Sequence, residues 1–212
     1  LINPALANDV GQNWLTSIDP DGTPGRANSV LATNSAPFIS DVTHFPPVPR
    51  STDAVTISAR VSDQQSNGVQ NVTLYYRTHT TSSPGPFATT NMFDDGTHGD
   101  GVAKDGLYGV VLPAQASGSI VEFYVQALGP TGLTRTWPAP TWDTNNTFAQ
   151  LANALYQVDN ESSATNMPFL RIVMTGSERA VFPPADSSSD AEMNATFVSL
   201  DGDGAKVRYT SG

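Results

Sequence analysis

The chain contains no cysteine, which removes disulfides, thiolate nucleophiles and cysteine-ligated zinc from the chemistry available to it. Positive charge is also scarce: 10 Lys and Arg stand against 20 Asp and Glu, a net charge of -10 at pH 7. A surface of that sign repels phosphodiester backbones and anionic headgroups, so no nucleic acid and no acidic membrane is expected as a partner. No run approaches the ~20 apolar residues of a membrane-crossing helix, so no membrane insertion is expected, and no basic start followed by an apolar core marks a signal peptide. The first residue is Leu1 rather than Met, as in a processed chain or a piece of a longer one.

Turn formers are plentiful. With 16 prolines and 17 glycines the chain is punctuated into pieces too short for long helices, which favours a mainly β fold. In DAVTISARVSD, Val55, Ile57, Ala59 and Val61 alternate onto one face, the pattern of a half-buried strand. VQNVTLYYRTH puts Val72, Leu74 and Tyr76 on its more apolar side, and GSIVEFYVQALG sets Val121, Phe123, Val125 and Ala127 opposite Ile120, Glu122, Tyr124 and Gln126. Short strands at this spacing predict an antiparallel sandwich of about 100 residues over 36–140. A linker is expected over Asp19–Pro37, closing a first segment over 1–35. The proline-rich WPAPTWDTNNTF opens a third over 141–212. In that segment Phe148, Leu151 and Leu155 recur at helical spacing, FLRIVMTGSERAVF reads as a strand followed by a short helix, and NATFVSLDGDGAKVRYTSG reads as a hairpin turning at Asp201–Gly204.

Residues 91–109, NMFDDGTHGDGVAKDGLYG, concentrate Asp94, Asp95, Asp100 and Asp105 among glycines. Two readings stand. Calcium takes six to eight oxygen ligands, which this loop has in number, and crowding four carboxylates without a cation is repulsive. The spacing is not that of an EF-hand, however, and Asp-Gly pairs are ready turn formers, with Lys104 at hand to neutralise charge. Turns are the preferred reading, with Ca2+ at these four aspartates the alternative. A histidine metal site would need His44, His79 and His98 brought together by the fold. No serine sits in a hydrolase elbow. Alternation turns Glu122 away from the core, towards an exposed position. Trp14, Trp137 and Trp142 are the rings on which a carbohydrate could stack, or else packing at segment boundaries.

Three stretches resemble, in order, parts of large secreted bacterial proteins. LINPALANDVGQNWLTSIDPDGTPGRANSV, through its LINPAL strand, Trp14 in GQNW and the terminal GTPGRANS, resembles the end of a lamin-tail domain, most of which would lie upstream. VQNVTLYYR, MFDDGTHGDGVAKDGLYGVVLPAQASGSIVEFYVQA and GLTRTWPAP are similar to an immunoglobulin or fibronectin III-like module. FLRIVMTGSERAVF with DAEMNATFVSLDGDGAKVRYTSG resembles the start of a spore-coat CotH domain, a kinase-like fold whose catalytic residues lie further along, so none is carried over here. The resemblance implies a non-catalytic spacer or interaction segment of an extracellular or cell-surface bacterial protein, meeting a protein or polysaccharide at that surface. Two alternatives accompany it: a carbohydrate-binding or surface-assembly module, and the front end of a CotH-like protein kinase.

Overall fold

The computed structural model describes residues 1–63, 68–79, 84–142, 147–161, 169–181, 194–201 and 204–210. The strands run β1 (Phe38–Phe45), β2 (Val55–Ser62), β3 (Asn71–His79), β4 (Ala88–Met92), β5 (Leu107–Leu112), β6 (Ile120–Leu128), β7 (Thr134–Trp137), β8 (Thr141–Trp142), β9 (Phe148–Ala149), β10 (Ala154–Gln157) and β11 (Phe169–Val173). After the helix α1 (Gly176–Val181) come β12 (Ala195–Asp201) and β13 (Gly204–Thr210). All named pairings are antiparallel. One sheet has the order β1-β2-β5; the facing sheet has the order β10-β6-β3-β4, with β7 on the same edge of β6 as β10.

The alternation read from the sequence sets the core. Val55, Ile57, Ala59 and Val61 of the first sheet meet Val72, Leu74, Val121, Phe123, Val125 and Ala127 of the second in one buried cluster. Burial of side chains of this size contributes roughly 1.5–3 kcal/mol each for the larger ones.

Local pattern gives way to tertiary partners at two places in the sandwich. The helical spacing of Phe148, Leu151 and Leu155 does not give a helix: Phe148 lies in β9 and Leu155 in β10, Leu151 falls between the two strands, and Leu155 is buried while Phe148 and Leu151 are exposed. Half of the edge of β6 needs a ladder partner, and Ala154-Leu155-Tyr156, buried side by side, supplies it; tertiary pairing overrides a weak local period. Glu122 does point away from the sandwich core, but it is only 3% exposed. Arg77 grips it through Nε at 2.7 Å and Nη2 at 3.0 Å, while His79 Nε2 and Asn153 Nδ2 each lie 2.6 Å away. Burial pushes this carboxyl up and its four donor contacts push it down further, so it stays ionised.

The strand expected at LINPAL is absent: residues 1–37 carry turns and one 3-10 turn at Gly11–Asn13. This segment folds on itself through Ala32 N–H to Ile2 O (2.9 Å) and the buried Asn13 amide, which bonds the backbone of Asn3. It is tied to the sandwich by Gln12, whose side chain accepts from Ile39 N–H at 3.0 Å and donates to Ile39 O at 2.6 Å, satisfying the outer edge of β1.

Beyond residue 140, β11-β12-β13 form a three-stranded sheet. The hairpin β12-β13 pairs from Asp201↔Gly204 outward, as expected. Thr175 and Glu178 cap α1 reciprocally. This sheet is joined to the sandwich by Leu155 N–H to Thr196 Oγ1 (3.0 Å), by the Arg171–Asp159 ion pair (2.7 Å) and by a buried cluster of Ile120, Leu155 and Val173.

His44 of β1 completes the join. It is buried, stacked on Tyr156 at 5.1 Å, edge-on to Phe123, and hydrogen-bonded through Nδ1 to the hydroxyl of Tyr209 on β13. Desolvation lowers its pKa to about 4, a bond with the Pro47 carbonyl opposing the shift in part. The unfolded chain, with histidine near 6.5, therefore takes up the proton first. The native state keeps its full stability above that value and loses it as the pH falls towards 4. Stability is expected to drop by about 2 kcal/mol between pH 7 and pH 5 from this group alone. Urea titrations at the two pH values check it: His44→Gln should flatten the difference, and an unchanged difference would contradict the assignment.

Candidate functional site: the acidic loop and a cleft at the sheet edge

The acidic loop spans the crossing from β4 in one sheet to β5 in the other. Phe93 and Gly109 close it with two backbone bonds, at 2.9 and 2.8 Å. Inside, the aspartates hold backbone amides. Asp100, with 0% of its surface exposed, accepts from the N–H groups of Asp95 and Gly96 on Oδ2 at 2.6 Å each and of His98 on Oδ1 at 2.9 Å. Asp94 accepts from Lys104 and Asp105 on Oδ1 and from Gly106 on Oδ2. Asp95 accepts from Thr97 N–H and hydroxyl and contacts His98 Nδ1 at 3.0 Å, which together draw its pKa down to about 2, the His98 bond contributing most. Among the described residues the Asp105 carboxylate takes only the N–H of Leu107.

Two glycines make this packing possible. A Cβ on Gly109 would lie 2.5 Å from the His98 carbonyl oxygen and 3.0 Å from Asp100 N; Gly99, at φ +77°, would put one 2.4 Å from a Thr56 methyl. The loop backbone thus lies directly on the sheet. For Asp100, burial raises the pKa and the amides of Gly96, His98, Asp100 itself and Asp95 lower it by more, so the net shift is downward. The four aspartates are therefore spread along a turn. Among the described residues no group of three or more His, Asp or Glu side chains is placed to hold a metal ion. The three histidines are separate too: His44 in the core, His79 on Glu122, His98 in this loop.

The aromatic candidates divide. Trp14 is exposed, its indole N–H bonded to Asn8 O at 2.8 Å. Trp137 is half-buried, edge-on to Tyr209 at 5.4 Å. Trp142, 68% exposed, stands 5.1 Å from the ring of Phe148, itself 56% exposed. Phe148 and Trp137 wall a cleft of about 350 Å³ at the free edge of β7, completed by Gln12, Thr134, Arg135, Thr136, Ala139 and Pro140.

Sequence reasoning missed Arg135 and Thr136. The available signal was the single basic residue in GLTRTWPAP, set beside a tryptophan and two prolines. Arg135 Nε donates to Pro37 O at 2.8 Å and its guanidinium lies 5.3 Å over the Phe38 ring. Burial lowers its pKa. The Thr136 hydroxyl is buried and has no partner among the described residues.

The family described as the conditioned medium factor 2nd Ig-like domain matches residues 50–134, from just before β2 to the first residue of β7. No curated protein matches the chain. The central sandwich is an immunoglobulin-like domain in a mainly β chain. No described helix is long and apolar enough to cross a membrane.

Asp100→Ala orphans three amides in a buried turn and is expected to cost about 3 kcal/mol. Asp105→Ala, which releases one amide at the surface, should cost less than about 1 kcal/mol. Urea unfolding without added calcium measures both. Equal effects, or none for Asp100, would contradict the turn account.

Proposed function

We propose that the chain is a non-catalytic interaction and spacer module of a secreted or cell-surface bacterial protein, and that its binding edge is the cleft beside β7, which meets polysaccharide. The observation that carries the reading is the placement of exposed ring faces, Trp142 against Phe148, beside a concave edge that Trp137 and Pro140 help to line. Flat apolar rings flanked by hydroxyl and amide groups suit the mixed apolar and polar faces of a sugar. The immunoglobulin-like scaffold supports the spacer role, because β7 is paired with β6 at the middle of its core. The resemblances of residues 1–30 to a lamin-tail domain and of 150–212 to a CotH domain fit a position between other units of an extracellular protein. In the chain itself, β11-β12-β13 carry Tyr209 and Val173 back to the sandwich.

Calcium, if it binds, has to compete for Asp94, Asp95 and Asp100 with the amides they already accept. Its role in this reading is to stiffen the module at the remaining oxygens of the loop, and Asp105 is the aspartate with most acceptor capacity left.

Retention of the purified chain on insoluble cell-wall polysaccharide tests the binding reading. Binding is expected, with at least a fivefold loss for Trp142→Ala, a substitution at an exposed position. No retention on any polysaccharide, or retention untouched by Trp142→Ala and Phe148→Ala together, would overturn it. A melting temperature unmoved by excess calcium would remove the ion from the reading and leave the edge unaffected.

A further inference from the structure

Arg135 is a half-buried cation without a counter-ion. Its Nε is taken by the Pro37 carbonyl, and no carboxylate among the described residues pairs with it. Arg26, Arg60, Arg77 and Arg171 each meet an Asp or Glu; the other arginines with no ion pair among the described residues, Arg50, Arg179 and Arg208, are exposed, whereas Arg135 is half-buried. A guanidinium withdrawn from water is costly unless something satisfies its remaining N–H groups.

The surroundings say what that group should be. The eight lining residues hold no Asp or Glu, but they do hold the hydroxyls of Thr134 and Thr136 and two aromatic rings. The buried Thr136 hydroxyl also has no partner among the described residues. Gln12 exchanges two hydrogen bonds with Ile39, which leaves its amide one N–H and one lone pair to offer. A ligand that answers this set carries an anion for the planar fork of Arg135, hydroxyls for the threonines, and a face to lay on Phe148.

Building on the polysaccharide reading above, we infer that the cleft takes a carboxylated sugar, a hexuronate unit of an acidic polysaccharide, with its carboxylate on the Arg135 guanidinium. The Pro37 bond and the Phe38 ring fix the side chain in place, so little rotamer freedom is lost on binding. The net negative charge of the chain works against a polyanion, so retention has to come from the cleft itself, whose lining carries Arg135 and no Asp or Glu.

Affinity electrophoresis of the whole chain, in gels containing polygalacturonate, its fully methyl-esterified form or a neutral β-glucan, tests the inference. Retardation is expected in polygalacturonate only. Arg135→Gln, which can still donate to Pro37, should weaken it at least tenfold, Arg135→Lys less, and Phe148→Ala, at an exposed position, severalfold. Unchanged melting temperatures show that the variants fold; for any that does not, Phe148→Ala stands in. Equal retardation by the esterified or neutral polymer would overturn the carboxylate inference and leave the binding module standing. Retardation by polygalacturonate that Arg135→Gln and Phe148→Ala leave unchanged would overturn the site. No retardation by any polymer would overturn both the inference and the reading it rests on.

Discussion

The first half of strand β6 is buried on both faces, and that constraint organises the molecule. Its inner side chains, Val121 to Ala127, are the middle of the core, while Ile120 and Glu122 on its outer side are equally withdrawn from water. One edge is paired along its whole length with β3; the other is divided between β10 and β7. A carboxylate taken out of water at such a place must be fully partnered, since an uncompensated buried charge costs several kcal/mol. Arg77, His79 and Asn153 supply the partners from the neighbouring strand on one side and the approach to β10 on the other. The pairing thus ties the late part of the chain, as well as β3, to the sandwich.

The acidic loop obeys the same logic at smaller scale. Where the chain leaves one sheet for the other it cannot use a ladder, so its buried amides need another acceptor. Asp100 and Asp94 provide it, and the missing side chains of Gly99 and Gly109 let the loop lie against Thr56 of β2 and against β5. Concentrated carboxylate here is a way of satisfying backbone donors in a turn.

What the sequence made legible was what local chemistry decides. Alternation in β2, β3 and β6 fixed which side chains are inside, Asp-Gly pairs marked the turns, and the DGDG hairpin between β12 and β13 fell where expected. What stayed hidden depends on partners far away in the chain. Leu155 has helical spacing, yet the vacant edge of β6 makes it a strand residue; Glu122 alternates outward, yet Asn153 and Arg77 enclose it. LINPAL looks like a strand, but its amides are met by turns and by Asn13. The cleft draws on residues as far apart as Gln12, Arg135 and Phe148, and no short motif could reveal it.

Hydrogen exchange of backbone amides in the intact chain most directly tests whether the module is one cooperative body with β6 at its centre. Amides of β10 are expected to exchange with the same opening free energy as those of β6 and β3, because the three strands share one sheet and one buried core. Exchange of β10 orders of magnitude faster than β6 would contradict the account. In that case the sandwich would stand without the residues after 140, and Glu122 would lie open to solvent.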